Sequence, residues 1–201
     1  HHTARDLAGR GRPAPVIVGI DHGGPTRVRE LSPFRMRSRG QAGHLIKWIA
    51  RDLAPKIQRE FGVRRDPAGT AIGGSSMGGL AALYAHFHRP DVFGAALCMS
   101  PSLWVARGKI FDHIAGQTRP WTTRIYLDAG GREGPMLREA ERMARTLRQR
   151  GWSDHDLRFI ADPHGRHHEH DWRRRAPHAL EFLFAGTGAH GHGHGGHGRA
   201  A

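Results

Sequence analysis

Residues 70–88 read TAIGGSSMGGLAALYAHFH, and the reading of this stretch decides the fold. TAIGG is a short apolar run that enters a cluster of glycines, as a strand does when it meets a turn. LAALYAHFH has the density and length of a buried helix and stops before Arg89-Pro90, because a residue ahead of proline is pushed out of the helical region. Between them, Gly74-Ser75-Ser76-Met77-Gly78 fits G-x-S-x-G, the pattern of a serine held on a sharp strand-to-helix turn with small neighbours that leave it room. The register selects Ser76, since Ser75 would need a glycine where Met77 stands. A helix that begins beside the serine points free N–H groups and its positive end at that point, so the Met77 backbone N–H is a candidate oxyanion donor.

Working outward, the same alternation continues. PVIVGI (15–20) reads as a buried β-branched strand, and GHLIKWIARDLAPKIQREFG (43–62) as a helix that Pro55 should kink or divide. FGAALCMS (93–100), RIYLDAG (124–130) and LRFIAD (157–162) read as further strands. Helices are expected near 104–115, over 134–151 with proline in the first turn and glycine at the end, and over 169–184. Strands that alternate with helices predict an α/β domain over 1–185, with a mostly parallel sheet covered on both faces. Functional residues then belong in loops beyond the carboxyl ends of the strands.

A serine alcohol needs a base to take its proton. In a fold of this kind the acid and the histidine follow the serine in that order, each after a later strand. After RIYLDAG stand Asp128 and Glu133; after LRFIAD stand His164, His167, His168 and His170. Spacing alone leaves these alternatives open.

Composition narrows the other classes. The net charge is +13 with only three lysines among 31 basic residues, and the arginines are scattered without a nucleic-acid-binding signature, so no specific nucleic-acid partner is expected. Cys98 is the single cysteine, too few for a disulfide or a zinc site. No apolar run is long enough to span a bilayer and no signal peptide is visible, so the expectation is a soluble, cytoplasmic protein without a membrane partner. GTGAHGHGHGGHGRAA (186–201) is low-complexity and is expected to be a disordered tail, with His190, His192, His194 and His197 as loose metal binders at most.

GGSSMGGLAALYAHFHRPDVFGAALCMSPSLW, with GIDHGGPTRVRELSPF, RIYLDAGGREG and GRHHEHDWRRRAPHALEFLF, resembles the esterase family of α/β-hydrolases that includes enterochelin esterases, esterase D-type enzymes and mycolyltransferases. The resemblance runs over nearly all of 15–185. It implies an α/β-hydrolase fold and acyl transfer through Ser76 on a small-molecule ester, with no cofactor and no metal. In relatives the acid stands five residues past the aspartate that ends its strand, which implies Glu133 and leaves Asp128 to shape the loop. The family histidine precedes a tryptophan by five positions, which implies His167 ahead of Trp172, with His168 as the nearest rival. Ser102 and Trp104, in Ser100-Pro101-Ser102-Leu103-Trp104, are implied to line the substrate pocket, Trp104 being equally readable as core.

One part that the resemblance implies is not found. The second oxyanion donor comes, in relatives, from a D-G-x-N-like loop upstream of the strand that corresponds to PVIVGI, and His22-Gly23-Gly24 is a poor substitute. The expectation is therefore a fragment lacking the first strands, with weakened or absent activity. Rival readings are an acyltransferase of the same fold, a metal-dependent hydrolase using the histidines of 164–170, and a non-enzymatic polyanion-binding module.

Overall fold

The computed structural model describes residues 9, 14–36 and 39–184. The glycine- and histidine-rich segment 186–201, with its four histidines, lies outside them. Four strands form one parallel sheet in sequence order: β1 (Ala71–Ser75), β2 (Ala95–Met99), β3 (Arg124–Gly130) and β4 (Leu157–Asp162). The helices are α1 (Arg27–Leu31), α2 (Ala42–Trp48), α3 (Ala54–Phe61), α4 (Met77–His88), α5 (Lys109–Ala115), α6 (Pro135–Gln149) and α7 (Glu169–Phe184). Helices α4, α5 and α6 lie within the three strand-to-strand crossovers, as parallel pairing requires.

The alternation of side chains along β3 sets the two layers. Ile125, Leu127 and Ala129 meet α4, α5 and α6 in the main core, where Leu80, Leu83 and Leu147 are fully buried. Each such leucine contributes about 1.5–3 kcal/mol relative to an exposed position. Tyr126 points the other way, against Ala179 and Leu183 of α7. Helix α2 and the turn after it add a smaller cluster on α4, around Ile46, Ile49 and Phe93. The strand ends at 124–130 and 157–162 and the helix at 169–184 fall where the sequence pattern puts them.

One expectation is corrected. PVIVGI forms no strand: residues 14–23 have no regular structure, and Ile17 is 58% exposed. A β-branched run becomes a strand only when a neighbour accepts its hydrogen bonds. Among the described residues the outer edge of β1 is unpaired, and a groove of about 510 Å³ separates it from Val16, Val18 and Ile20. The division expected at Pro55 is found, Pro55 standing in the first turn of α3 and apart from α2. Residues Ile49–Leu53 widen into a π-helical turn between α2 and α3. A widened turn moves the carbonyl that a proline ring would strike and needs no N–H from it. No helix among the described residues is long and apolar enough to cross a membrane.

Candidate active site

Ser76 sits between β1 and α4 with φ 57° and ψ −119°, a conformation that side-chain-bearing residues rarely adopt. Its neighbours hold it there. The Ser76 N–H donates to the Met99 carbonyl at the end of β2, and the Ser76 carbonyl accepts from the Ser102 N–H and the Leu80 N–H. Gly74 is obligatory by contact: a Cβ there would lie 2.7 Å from the Gly78 carbonyl carbon, while one on Gly78 would meet nothing within 4 Å. The turn thus brings the Ser76 side chain out at the carboxyl end of the sheet, beside the first N–H groups of α4. Met77 is the first residue of that helix, so its N–H has no carbonyl in a preceding turn.

Glu133 and His167 come from the two loops that follow β3 and β4. A 3-10 turn over Gly131–Glu133 folds the acid back so that its Oε1 accepts the Gly130 N–H at 2.8 Å. The Arg132 N–H donates to the Gly165 carbonyl, and a Cβ on Gly130 would lie 2.3 Å from that oxygen. The acid turn and the histidine loop therefore pack backbone on backbone, which glycine alone permits.

This packing sets a continuous chain: Glu133 Oε2 lies 2.9 Å from His167 Nδ1, and His167 Nε2 lies 3.0 Å from Ser76 Oγ. The Glu133 side chain is wholly buried, whereas His167 is partly open to solvent. Trp172 packs edge-on against the imidazole, ring centroids 4.9 Å apart, which fixes the ring plane.

The other sequence candidates fall elsewhere. His168 and His170 are well exposed and interact with each other, the His170 N–H donating to His168 Nδ1. The His164 N–H caps Asp162. No group of three His, Cys, Asp or Glu residues among the described residues is arranged to hold a metal ion. The Gly23 N–H donates to Glu30 and the Gly24 N–H to His22 Nδ1, so both glycine amides are spent locally. Ser102 is buried with its Oγ 3.3 Å from Ser76 Oγ. Trp104 is 54% exposed, which removes its reading as core.

Two residues were not singled out from the sequence, Ser100 and Arg175. Arg175 is 3% exposed and grips Asp128 with Nε and Nη2, at 2.9 and 3.2 Å. It also donates to Asp162 and to Ser100 Oγ. Asp128 is the loop-shaping carboxylate that the sequence suggested, since it accepts the Ser100 N–H at 3.0 Å across the β2–β3 ends. Burial raises its pKa above the ordinary carboxylate range, against the pull of Arg175. Asp162 is held below that range: burial opposes, but the His164 N–H, Arg175 and Arg174 all favour the anion.

A parallel sheet with helices on both faces, and a serine elbow at its carboxyl end, define the α/β-hydrolase class. Comparisons with known proteins agree and go further. The family model described as "Putative esterase" matches residues 3–183, so the chain belongs to this esterase family. It is 29% identical over 176 residues to the iron(III) salmochelin esterase of Escherichia coli, covering 80% of this chain and 40% of that protein. It is 25% identical over 188 residues to the uncharacterized protein YbbA of Bacillus subtilis, covering 86% of this chain and 74% of that one. The enterobactin esterase structure from Shigella flexneri superposes with a TM-score of 0.71 at 22% identity, covering 89% of this chain and 46% of the other. The chain thus spans less than half the length of the two named siderophore esterases.

Proposed function

We propose that this chain is a serine hydrolase that cleaves small-molecule carboxylic esters through an acyl-enzyme on Ser76. The observation that carries the reading is the unbroken hydrogen-bond chain from Ser76 Oγ through His167 to Glu133. In this reaction Ser76 Oγ attacks the ester carbonyl carbon while His167 Nε2 takes its proton. Negative charge gathers on the carbonyl oxygen, toward the Met77 N–H and the amino end of α4. Collapse of the tetrahedral intermediate expels the alcohol, which receives the proton from His167. Water then repeats the sequence on the acyl-enzyme, and the acid product leaves with Ser76 restored. Glu133 holds the Nδ1–H tautomer and stabilises the imidazolium.

The names of the relatives make ester bonds of catecholate siderophores the natural second substrate after an activated ester. The test is hydrolysis of p-nitrophenyl butyrate, then of enterobactin, by the chain and by Ser76→Ala, with and without a chelator. The expected result is turnover that the chelator leaves intact and that Ser76→Ala abolishes. Equal turnover by both proteins would overturn the reading.

A further inference from the structure

Ser100 occupies an unusual position behind the acid. It follows β2 with φ 41°, is fully buried, and its Oγ makes three contacts. The Trp172 Nε1–H reaches it at 3.0 Å, the Arg175 Nη2–H reaches it at 3.0 Å, and Glu133 Oε1 lies 2.7 Å away. An indole N–H and a guanidinium can only donate. They fill both acceptor positions of the hydroxyl, so its one hydrogen has a single destination, Glu133.

That direction propagates. Glu133 Oε1 then accepts from Ser100 and from the Gly130 N–H, and the remaining oxygen faces His167 Nδ1. A carboxylate so surrounded is an acceptor at every contact, so Nδ1 carries the hydrogen and Nε2 presents its lone pair to Ser76. The opposite polarity would put hydrogen on Nε2, where it could not receive the serine proton.

We infer that Ser100, loaded by Arg175 and Trp172, is a positioning residue that sets the direction of the hydrogen bonds through Glu133 and His167 to Ser76. The inference rests on the triad reading proposed above. The charged and titratable groups around it are Asp128 and Cys98 from the central strands, Asp162 at the end of β4, Arg174 and Arg175 on α7, and the Glu133–His167 pair itself. Arg175 Nη2 stands 3.8 Å from Glu133 Oε1, so its charge reaches the acid directly as well as through Ser100.

Four variants test this: Ser100→Ala, Ser100→Gly, Arg175→Lys and the Ser100→Gly/Arg175→Lys pair, with Ser76→Ala as reference. The measurements are the pH dependence of kcat and KM on p-nitrophenyl butyrate, with circular dichroism to establish folding. Loss of the hydroxyl is expected to lower kcat about tenfold with KM within about twofold, because a charge-assisted bond to the acid is removed. The acid limb is expected to move up by about half a pH unit, since a carboxylate short of one donor holds the imidazolium proton more tightly. A purely structural defect would reduce the active fraction and leave the limb in place.

Glycine tolerates φ 41°, so Ser100→Gly separates the hydroxyl from the backbone and serves as the deciding variant if Ser100→Ala unfolds. Wild-type kcat and limb in Ser100→Gly would overturn the inference. Arg175→Lys is expected to lower kcat several-fold alone but by less than about twofold on top of Ser100→Gly. Full additivity would show that Arg175 does not act through Ser100. If Ser76→Ala is inactive while the Ser100 variants behave as wild type, this inference fails and the triad stands. If Ser76→Ala retains activity, the triad itself fails.

Discussion

Glu133 and Asp128 are both buried carboxylates at the end of one strand, yet only one of them faces an imidazole. Asp128 is committed to Arg175 and to the Ser100 amide. Its replacement by asparagine is therefore expected to be a stability lesion, while on the proposed triad Glu133→Gln is expected to be a catalytic one. The amide of glutamine can donate to Nδ1, which turns the imidazole to the wrong tautomer, and kcat should fall by about 10⁴ with the fold intact. Steady-state kinetics beside a thermal melt checks this, and a kcat within tenfold of wild type would exclude Glu133 as the acid. The elbow is legible because its motif is local in sequence, whereas spacing alone leaves Glu133 and Asp128, and the histidines of 164–170, as alternatives that only the family resemblance separates. Arg175 was not legible. It is one of three consecutive arginines, and only the register of α7 against the sheet decides that it is buried while Arg174 remains half exposed.

At the scale of the element, the elbow is asymmetric although its motif is not. The two glycines of Gly74-Ser75-Ser76-Met77-Gly78 look equivalent in sequence. A Cβ on Gly74 would collide with the backbone of Gly78, which has no side chain to move aside, whereas a Cβ on Gly78 enters open space. Gly74→Ala should therefore cost about 1–3 kcal/mol or more and disturb the serine. Gly78→Ala, in the first turn of α4, should be neutral or stabilising by up to about 1 kcal/mol. Urea unfolding of the two variants measures the contrast, and equal destabilisation would refute it. An element that closes its own hydrogen bonds, such as α6, was readable from the proline and glycine that bound it, and β3 and β4 from their apolar runs between turns. PVIVGI was not, because a strand needs a partner that no local pattern supplies. The π turn before Pro55 was missed for a related reason: proline announces a defect but not how the surrounding packing absorbs it.

Across the whole molecule, one histidine ties the crossovers together. His86 lies in α4 and is fully buried; its Nδ1 is 2.9 Å from the Phe93 carbonyl ahead of β2, which fixes Nδ1 as the donor. Nε2 is then the acceptor, 2.8 Å from the Thr123 hydroxyl ahead of β3, and Thr123 Oγ1 in turn accepts the Trp152 indole N–H from the approach to β4. Burial lowers the His86 pKa to about 4, only partly countered by the Phe93 bond. Between that value and the roughly 6.5 of an unfolded histidine, the unfolded chain binds the extra proton. Stability therefore rises with pH across this window, and the contribution is lost as pH falls through it. The full difference is about 3 kcal/mol, of which about 2 kcal/mol is gone by pH 5. His86→Gln removes the titration, so it should lower stability at pH 7 yet flatten the dependence between pH 7 and pH 5. Parallel urea titrations of both proteins at the two pH values measure the difference directly, with the other titrating groups common to both. Identical slopes would mean that His86 is not the group that couples proton uptake to the unfolding of these connections.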